Sequence, residues 1–281
     1  MPKRFKPAGI IFLTSATLIC SAQQSSVDLE LSHLPPAVQK TIGQQKGDGK
    51  LESIEKLTDD GEVTYDVELV RDGRSRGFTV DAEGELLNEE VFAGELSPAI
   101  QQTIQKQVGN GTLDEIDKCI GDGNPSYDVQ MTRDGKTRCF TVATNGQLLD
   151  AEVFLSELPP ALQTAIQKQV GGDKLAEIRK CFDGDEITYD VHVTGNGEGR
   201  ILSFDPDGTF WFEEGPANLS DTPEAVQKQI KTLTGSGKLL GISKTMEDNE
   251  ISYEVDVQNG DHEKTTRVGP DGKVLPDAMS E

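Results

Sequence analysis

The chain has 281 residues, of which 49 are acidic and 27 basic, and its formal net charge at pH 7 is −22. A surface of this sign would repel a polyanion, and no basic stripe compensates for it, so we predict no nucleic acid partner. The charge favours a basic protein partner or cations, although a merely solvated acidic surface is the simpler explanation.

The first 22 residues are typical of an export signal. A positively charged start precedes a short apolar stretch, Ala8 to Ile19, and Cys20-Ser21-Ala22 offers small residues for cleavage. The apolar stretch is too short to span a bilayer as a helix, so no stable membrane insertion is expected. We therefore predict cleavage after Ala22, a linker over 23–30 and soluble export to the periplasm or the exterior. A lipoprotein acylated at Cys20 is the alternative.

One sequence phrase recurs four times along the rest of the chain. The four tyrosines are spaced 62, 62 and 64 residues apart, and one alanine series and one glycine series keep the same spacing. The series are Tyr65, Tyr127, Tyr189 and Tyr253; Ala37, Ala99, Ala161 and Ala225; and Gly84, Gly146, Gly208 and Gly272. Three markers in step indicate a tandem array of one folding unit. We place the repeats at 31–92, 93–154, 155–215 and 216–277.

Each repeat begins with a segment that is typical of a helix. A proline-started amphipathic stretch, such as the one around Pro98 and Ala99, predicts about three helical turns. A glycine is expected to end each helix, among them Gly43, Gly109 and Gly171.

The helix is followed by residues that alternate with period two, which is typical of strands. Asp72-Gly73 is a two-residue hairpin signal and recurs as Asp134-Gly135 and Asn196-Gly197. This turn predicts that Val67 faces Phe78 and that Asp66 faces Thr79, so that the apolar residues share one side of the sheet.

Two further strands complete the predicted unit, one around Ile54 and one at Leu86-Leu87. The predicted fold class is therefore α+β, with four tandem repeats, each one helix packed on a four-stranded antiparallel β-meander. A unit of this size buries little surface, so we expect successive repeats to pack together through linker pairs such as Val91-Phe92 and Val153-Phe154. The fourth repeat has no such pair after its last strand, which suits a capping unit.

These motifs together resemble the PepSY family, and its PepSY-like branch related to the β-lactamase-inhibitor protein fold in particular. They are the helix with Pro-Ala, the Ile-x-Lys strand, the Tyr-Asp-Val strand and the Asp-x-x-Gly turn before Leu-Leu. In the third repeat, Phe204 to Trp211 is similar to the "FDxxGxW" segment of that branch. The resemblance implies an exported or cell-envelope protein, and several family members inhibit or chaperone proteases or other enzymes. It implies no catalytic residues.

We find no enzymatic, cofactor or metal constellation in the sequence, and we predict none of the three. Ser53-Ile54-Glu55-Lys56 has the letters of a Ser-x-x-Lys motif, but it lies on a predicted strand rather than at a helix start. Asp205-Pro206-Asp207-Gly208 has the letters of a calcium loop. The equivalent turns of the other repeats have fewer residues that could bind calcium. A β-turn with glycine at the position of positive φ therefore explains this segment better than a calcium site.

Three cysteines remain after the signal: Cys119, Cys139 and Cys181. They allow one disulfide at most, and whether it forms is left open. Cys119 and Cys181 occupy one repeat position, where the other repeats carry Leu57 and Thr245, so this position is interpreted as a small packing site.

The third repeat departs from its sisters and supplies the predicted partner-binding residues. It gains Trp211 and Phe212, and the predicted register places His192 opposite Ile201 on the otherwise polar face, next to Asp190. Such an apolar and aromatic patch with an acidic rim is typical of a binding centre. Packing of Trp211 and Phe212 against a neighbouring repeat is the alternative.

We predict a non-enzymatic, exported protein-binding repeat protein, which restrains an envelope or extracellular enzyme such as a protease. Its open sheet faces, lined by Thr64, Asp66, Glu68 and their equivalents, are the expected recognition surface. The alternatives are a structural or solubility module of the envelope without a tight partner and, less favoured, an acidic cation-binding protein.

Overall fold

The computed structural model describes residues 29–59, 62–121, 124–195, 198–260 and 262–276. The predicted export signal, nearly all of the linker 23–30 and the third hairpin turn at Asn196-Gly197 lie outside the described residues. Within the described ranges, no helix is long and apolar enough to cross a membrane.

In these ranges the chain alternates between single helices and groups of strands. The α-helices, of 11 residues each, are α1 (Pro36–Lys46), α2 (Pro98–Val108), α3 (Pro160–Val170) and α4 (Glu224–Thr234). A short 3-10 turn precedes each helix, at Leu31–His33, Ala93–Glu95, Leu155–Glu157 and Leu219–Asp221. The strands are β1 (Lys50–Asp59), β2 (Glu62–Arg71), β3 (Arg74–Asp81), β4 (Leu86–Glu90), β5 (Thr112–Cys119), β6 (Ser126–Arg133), β7 (Lys136–Ala143), β8 (Leu148–Glu152), β9 (Lys174–Asp183), β10 (Glu186–Gly195), β11 (Glu198–Phe204), β12 (Phe210–Pro216), β13 (Lys238–Glu247), β14 (Glu250–Asn259) and β15 (His262–Val268).

The chain divides into two compact units, Met1–Ala151 and Glu152–Glu281. In the first unit β1 to β8 pair in chain order, and in the second unit β9 to β15 do the same. Every pairing within a unit is antiparallel. The predicted α+β class is confirmed.

The strand register around the hairpins is the one that the sequence predicts. Val67 pairs with Phe78, and Asp66 pairs with Thr79. The turn residues Asp72 and Gly73 have φ of 55° and 77°, which is the conformation that favours Asp-Gly in a two-residue hairpin. A tight turn leaves the two strands no freedom to slip, and for this reason the register is readable from local sequence.

Each helix has its own hydrophobic core. In the first repeat, the buried α1 residues Val38 and Ile42 pack on Ile54, Val67 and Phe78 of the strands that follow. The other three helices form equivalent clusters with their own strands. Since strand side chains alternate between faces, covering the apolar face with a helix leaves the polar residues on the opposite face.

Two of the three repeated markers pack against each other. Gly84 lies in the turn between β3 and β4 with φ of 88°, and a Cβ there would be 2.7 Å from the carbonyl carbon of Ala37 in the first turn of α1. The Thr41 hydroxyl also donates a hydrogen bond of 2.6 Å to the Gly84 carbonyl. The recurring alanine and glycine therefore mark the place where helix and turn meet.

The linker pair Val91-Phe92 joins the first two repeats, as predicted. The Val91 N–H donates to the Ile116 carbonyl at 2.9 Å, and Val91 packs on the core of the second repeat. The Phe92 ring lies under two guanidinium groups of the first repeat, 4.5 Å from that of Arg76 and 5.0 Å from that of Arg74. The pair thus connects two cores within one unit.

Two details of the predicted repeat are wrong. The first is the end of the first helix: Gly43 lies inside α1, which continues to Lys46 and is capped by Gly47 with a φ of 52°. Gly47 precedes Gly109 by the repeat spacing and has the same left-handed role.

The second is the fourth repeat, which has three strands within the described residues rather than the predicted four. A single bridge between Val268 and Val274 replaces the last strand. Pro276 has no N–H to extend the ladder.

Replacing Gly84 by alanine should lower the free energy of unfolding by about 3 kcal/mol, because the new Cβ combines an unfavourable positive φ with a close contact to Ala37. Gly73→Ala is the matched control, since Gly73 also has positive φ but a Cβ added there would meet no atom within 4 Å. We expect about 1 kcal/mol for the control. Urea unfolding of both variants measures the difference, and equal losses would show that the helix–turn contact is not tight.

Candidate partner-binding surface

The structure brings most of the predicted third-repeat residues onto one face. His192 on β10 lies opposite Ile201 on β11, as predicted, and Asp190 lies opposite Ser203, which in turn pairs with Phe212 on β12. A register shift follows Ser203, so that Trp211 is an extra residue in the ladder. Its ring lies 5.7 Å from that of Phe212.

These side chains are largely buried. Trp211 is 3 % exposed, Phe212 1 %, Asp190 5 % and His192 8 %, whereas Ile201 is half-buried. A side chain that anchors a partner must be reachable, so burial at this level is what the packing alternative predicts. Contact of these residues with a partner stays a prediction, and it would require them to become exposed.

The aspartate of the Tyr-Asp-Val motif accepts similar hydrogen bonds in the second and third repeats. Asp190 accepts from the Ser203 hydroxyl at 2.7 Å and from the Cys181 thiol at 3.4 Å. In the second repeat, Asp128 accepts from the Thr141 hydroxyl at 2.9 Å and from a cysteine thiol at 3.4 Å. These carboxylates are held in place by donors on neighbouring strands.

The structure places none of Cys119, Cys139 and Cys181 in a disulfide. Burial raises the pKa of the Cys119 thiol to about 12, and the negative charge of Asp128 adds to this effect. A thiol with so high a pKa is protonated at neutral pH and is a poor nucleophile. Cys119 therefore acts here as a hydrogen-bond donor.

The open face of the first unit carries a set of carboxylates that we name the acidic face. Its members point away from the helices, because they alternate with core residues along β1, β2, β4, β5 and β6. They are Glu55, Asp66, Glu68, Glu90, Glu115, Asp117 and Asp128. Among the outward positions of the described strands of this unit, a single residue is basic, Lys50 at the start of the edge strand β1.

Three members of the acidic face form a row across adjacent strands. Glu90 on β4 pairs with Asp117 on β5, which pairs with Asp128 on β6. Directly opposite residues in a sheet have Cβ atoms about 5 Å apart, and like charges at this distance are destabilising. The row therefore holds unfavourable electrostatic energy.

The ionisation of this face reflects that crowding. Burial raises the pKa of Asp117 from 3.8 to about 7, and the negative charges of Glu115, Glu90 and Asp128 add to the effect. Burial also raises the pKa of Glu115, with a contribution from Glu90. The pKa of Asp66 is raised by burial too, against the lowering effect of its hydrogen bond from the Thr79 hydroxyl.

Part of this face is predictable from the sequence, and part is not. Asp66 and Glu68 were expected there, because the hairpin turn determines their register. The opposition of Glu90 and Asp117 was missed, since these residues belong to different repeats and are joined by no tight turn. The register between β4 and β5 has no local sequence signal from which it could be derived.

Within the part of the chain that the structure describes, no group of three or more His, Cys, Asp and Glu side chains is placed to hold a metal ion. The segment with calcium-loop letters forms the predicted β-turn. Gly208 has φ of 90°, and its N–H donates to the Asp205 carbonyl at 2.9 Å.

Comparison with known proteins finds similar solved structures. The chain is similar to a BLIP-like protein from Bacteroides fragilis, with 18% identity, 42% of this chain and 84% of that chain covered and a TM-score of 0.34. It is also similar to a protein from Bacteroides eggerthii described as periplasmic, with 18% identity, 42% and 86% coverage and a TM-score of 0.34. A third similar structure, from Bacteroides thetaiotaomicron and described as a calcium-regulated periplasmic protein, has 16% identity, 46% and 97% coverage and a TM-score of 0.31.

No curated protein matches the chain. The family model described as beta-lactamase-inhibitor-like, PepSY-like matches residues 21–88 and 187–269. The two stretches together exceed half of the sequence and include the hairpin strands of the first and third repeats. The chain therefore belongs to the PepSY-like, beta-lactamase-inhibitor-like family.

Proposed function

We propose that this chain is an exported, non-enzymatic binding protein of the periplasm or the extracellular space, and that the acidic face holds a basic segment of a partner protein. The observation that carries the proposal is the row of Glu90, Asp117 and Asp128, directly opposed on adjacent strands. Family membership supports a protein partner, and an envelope or extracellular enzyme such as a protease is the partner class that we favour.

The electrostatics of the face explain why a basic partner fits it. Opposed carboxylates repel each other in the free protein, and a cationic side chain placed among them would remove that cost. The net charge of −22 for the whole chain would also speed the approach of a positively charged partner.

The geometry favours an extended segment with basic residues at alternate positions. Adjacent strands lie about 4.8 Å apart, and alternate side chains of an extended chain are separated by about 7 Å. Such a segment, lying across β4, β5 and β6, could place two cations near three carboxylates. A partner of this kind is recognised through its charge pattern, with affinity that falls as salt screens it.

The first test measures binding of a ten-residue lysine–serine alternating peptide by calorimetry at 50 and 300 mM salt. We expect Glu55→Gln, Glu90→Gln and Glu115→Gln together to weaken binding about tenfold at low salt, at roughly 0.5 kcal/mol for each charge removed. The effect should shrink at high salt.

The matched control removes the same charge elsewhere, from the exposed residues Glu83, Glu186 and Glu250. If both triple variants lose affinity equally, the peptide senses overall charge alone, and the protein is an acidic solubility module without a specific site. Displacement of the peptide by calcium at equal charge concentration would instead favour the cation-binding alternative.

The second test decides the role of Trp211. Because its side chain is 3 % exposed, Trp211→Ala should lower the free energy of unfolding by about 3 to 5 kcal/mol through the cavity it leaves. Leu87, which occupies the equivalent position in the first repeat and is half-buried, provides the control Leu87→Ala with an expected loss of about 1 to 2 kcal/mol. Denaturant unfolding of the two variants is the measurement.

A Trp211→Ala variant of unchanged stability that no longer binds a protein partner would contradict the packing interpretation. It would assign the third-repeat patch of Asp190, His192, Ile201, Trp211 and Phe212 to partner binding.

A further inference from the structure

Asp117, the middle carboxylate of the row, differs from Glu90 and Asp128 in its hydrogen bonds. Asp128 accepts two side-chain hydrogen bonds, at 2.9 Å from the Thr141 hydroxyl and at 3.4 Å from the Cys119 thiol. Glu90 accepts a backbone N–H at 3.1 Å. The described residues form no hydrogen bond to the Asp117 carboxylate. Hydrogen bonds therefore stabilise the ionised form of Asp117 less than that of its two neighbours.

The charges that face Asp117 are all negative. They are Glu90 on β4, Asp128 on β6 and Glu115 on the same strand. The basic neighbour in sequence, Lys118, points to the helix side of the sheet. There its ammonium group donates to a carboxylate oxygen of Glu89 at 2.9 Å.

We propose that Glu90, Asp117 and Asp128 form one proton-binding cluster, which takes up a proton on Asp117 between neutral and mildly acidic pH and so sets the charge of the acidic face. The proton comes from solvent and converts the Asp117 carboxylate into a carboxylic acid. Its O–H is then a donor between two acceptors, so the repulsion along the row is replaced by a hydrogen bond.

The consequence for binding rests on the function proposed above. Each proton taken up removes one negative charge from the centre of the surface on which a basic segment would lie. Acidification should therefore weaken the hold on that segment, and a rise in pH should strengthen it.

The consequence for stability is independent of any partner. The raised pKa of Asp117, about 7 against 3.8 for an unperturbed aspartate, means that the folded protein keeps a proton that the unfolded chain loses above about pH 4. The contribution of Asp117 to the free energy of unfolding is fully present below the pKa that this group has in the unfolded chain. It is lost as the pH rises through the pKa that the group has in the folded protein. The folded state is thus favoured by acid in this window.

The decisive measurement is the urea unfolding midpoint of the full chain at pH 5 and pH 8. We expect Asp117→Asn to raise the midpoint at both pH values and by more than twice as much at pH 8 as at pH 5. The neutral amide has no proton to lose, whereas in the wild type only the unfolded chain is ionised at pH 5 and the folded protein is also ionised at pH 8. Glu68→Gln is the control for stability: it removes one charge from the same face, but its register partners Ser53 and Gly77 are uncharged. It should keep the wild-type difference between the two pH values.

A titration of the side-chain carboxyl carbons of the wild-type protein by NMR provides a readout that needs no variant. A midpoint near 7 for Asp117 supports the cluster. A titration midpoint near 4 overturns it. So does an Asp117→Asn variant whose urea unfolding midpoint changes between pH 5 and pH 8 by the same amount as that of the wild type.

Binding of the lysine–serine peptide at pH 6 and pH 8 links the cluster to function. The wild type should bind severalfold more weakly at pH 6, and Asp117→Asn should lose most of this pH dependence. If the peptide does not bind at either pH, the proposed function fails, while the unfolding and titration measurements still decide whether the cluster binds a proton.

Discussion

The alternation of side chains along each strand is the constraint on which the rest of the structure depends. The core under α1 contains Tyr65, Val67 and Leu69 of one strand. Because side chains alternate along a strand, the residues between them lie on the opposite face of the sheet. A slip by one residue would bury Asp66 and Glu68 and expose the core, which the hairpin turn and the apolar pattern together forbid. The concentration of carboxylates on the open face is thus a by-product of building the hydrophobic one.

The position of Asp117 carries a residue of different charge in different repeats, so the two units differ in charge at this position. Where the second repeat has Asp117 opposite Asp128, the third has Arg179 opposite Asp190. Arg179 also donates from Nε to a carboxylate of Glu177 at 2.8 Å. One change of residue type turns a repulsive pair into an attractive one. A tandem array can in this way keep one fold and still present different surfaces.

The repeated markers themselves serve the architecture. The alanine and glycine series meet at the helix–turn contact, as Ala37 and Gly84 do, and the tyrosines lie in or beside the cores. Residues committed to these contacts are poorly placed to recognise a partner. The acidic face combines acids that recur from repeat to repeat, such as Asp66 and Asp128, with positions whose residue type varies, such as Glu68 and Asp117.

The sequence by itself determined the recurring units, the α+β class, the helices apart from the end of α1, and the register of the first three hairpins, because all of these follow from interactions within a few residues. Val67 opposite Phe78 could be read from the turn at Asp72-Gly73 alone. The pairing of Glu90 with Asp117 was decided by tertiary structure, since it joins strands of different repeats through a helix rather than through a turn. Burial of Trp211 was likewise beyond local sequence, because the exposure of a strand residue depends on what covers its face.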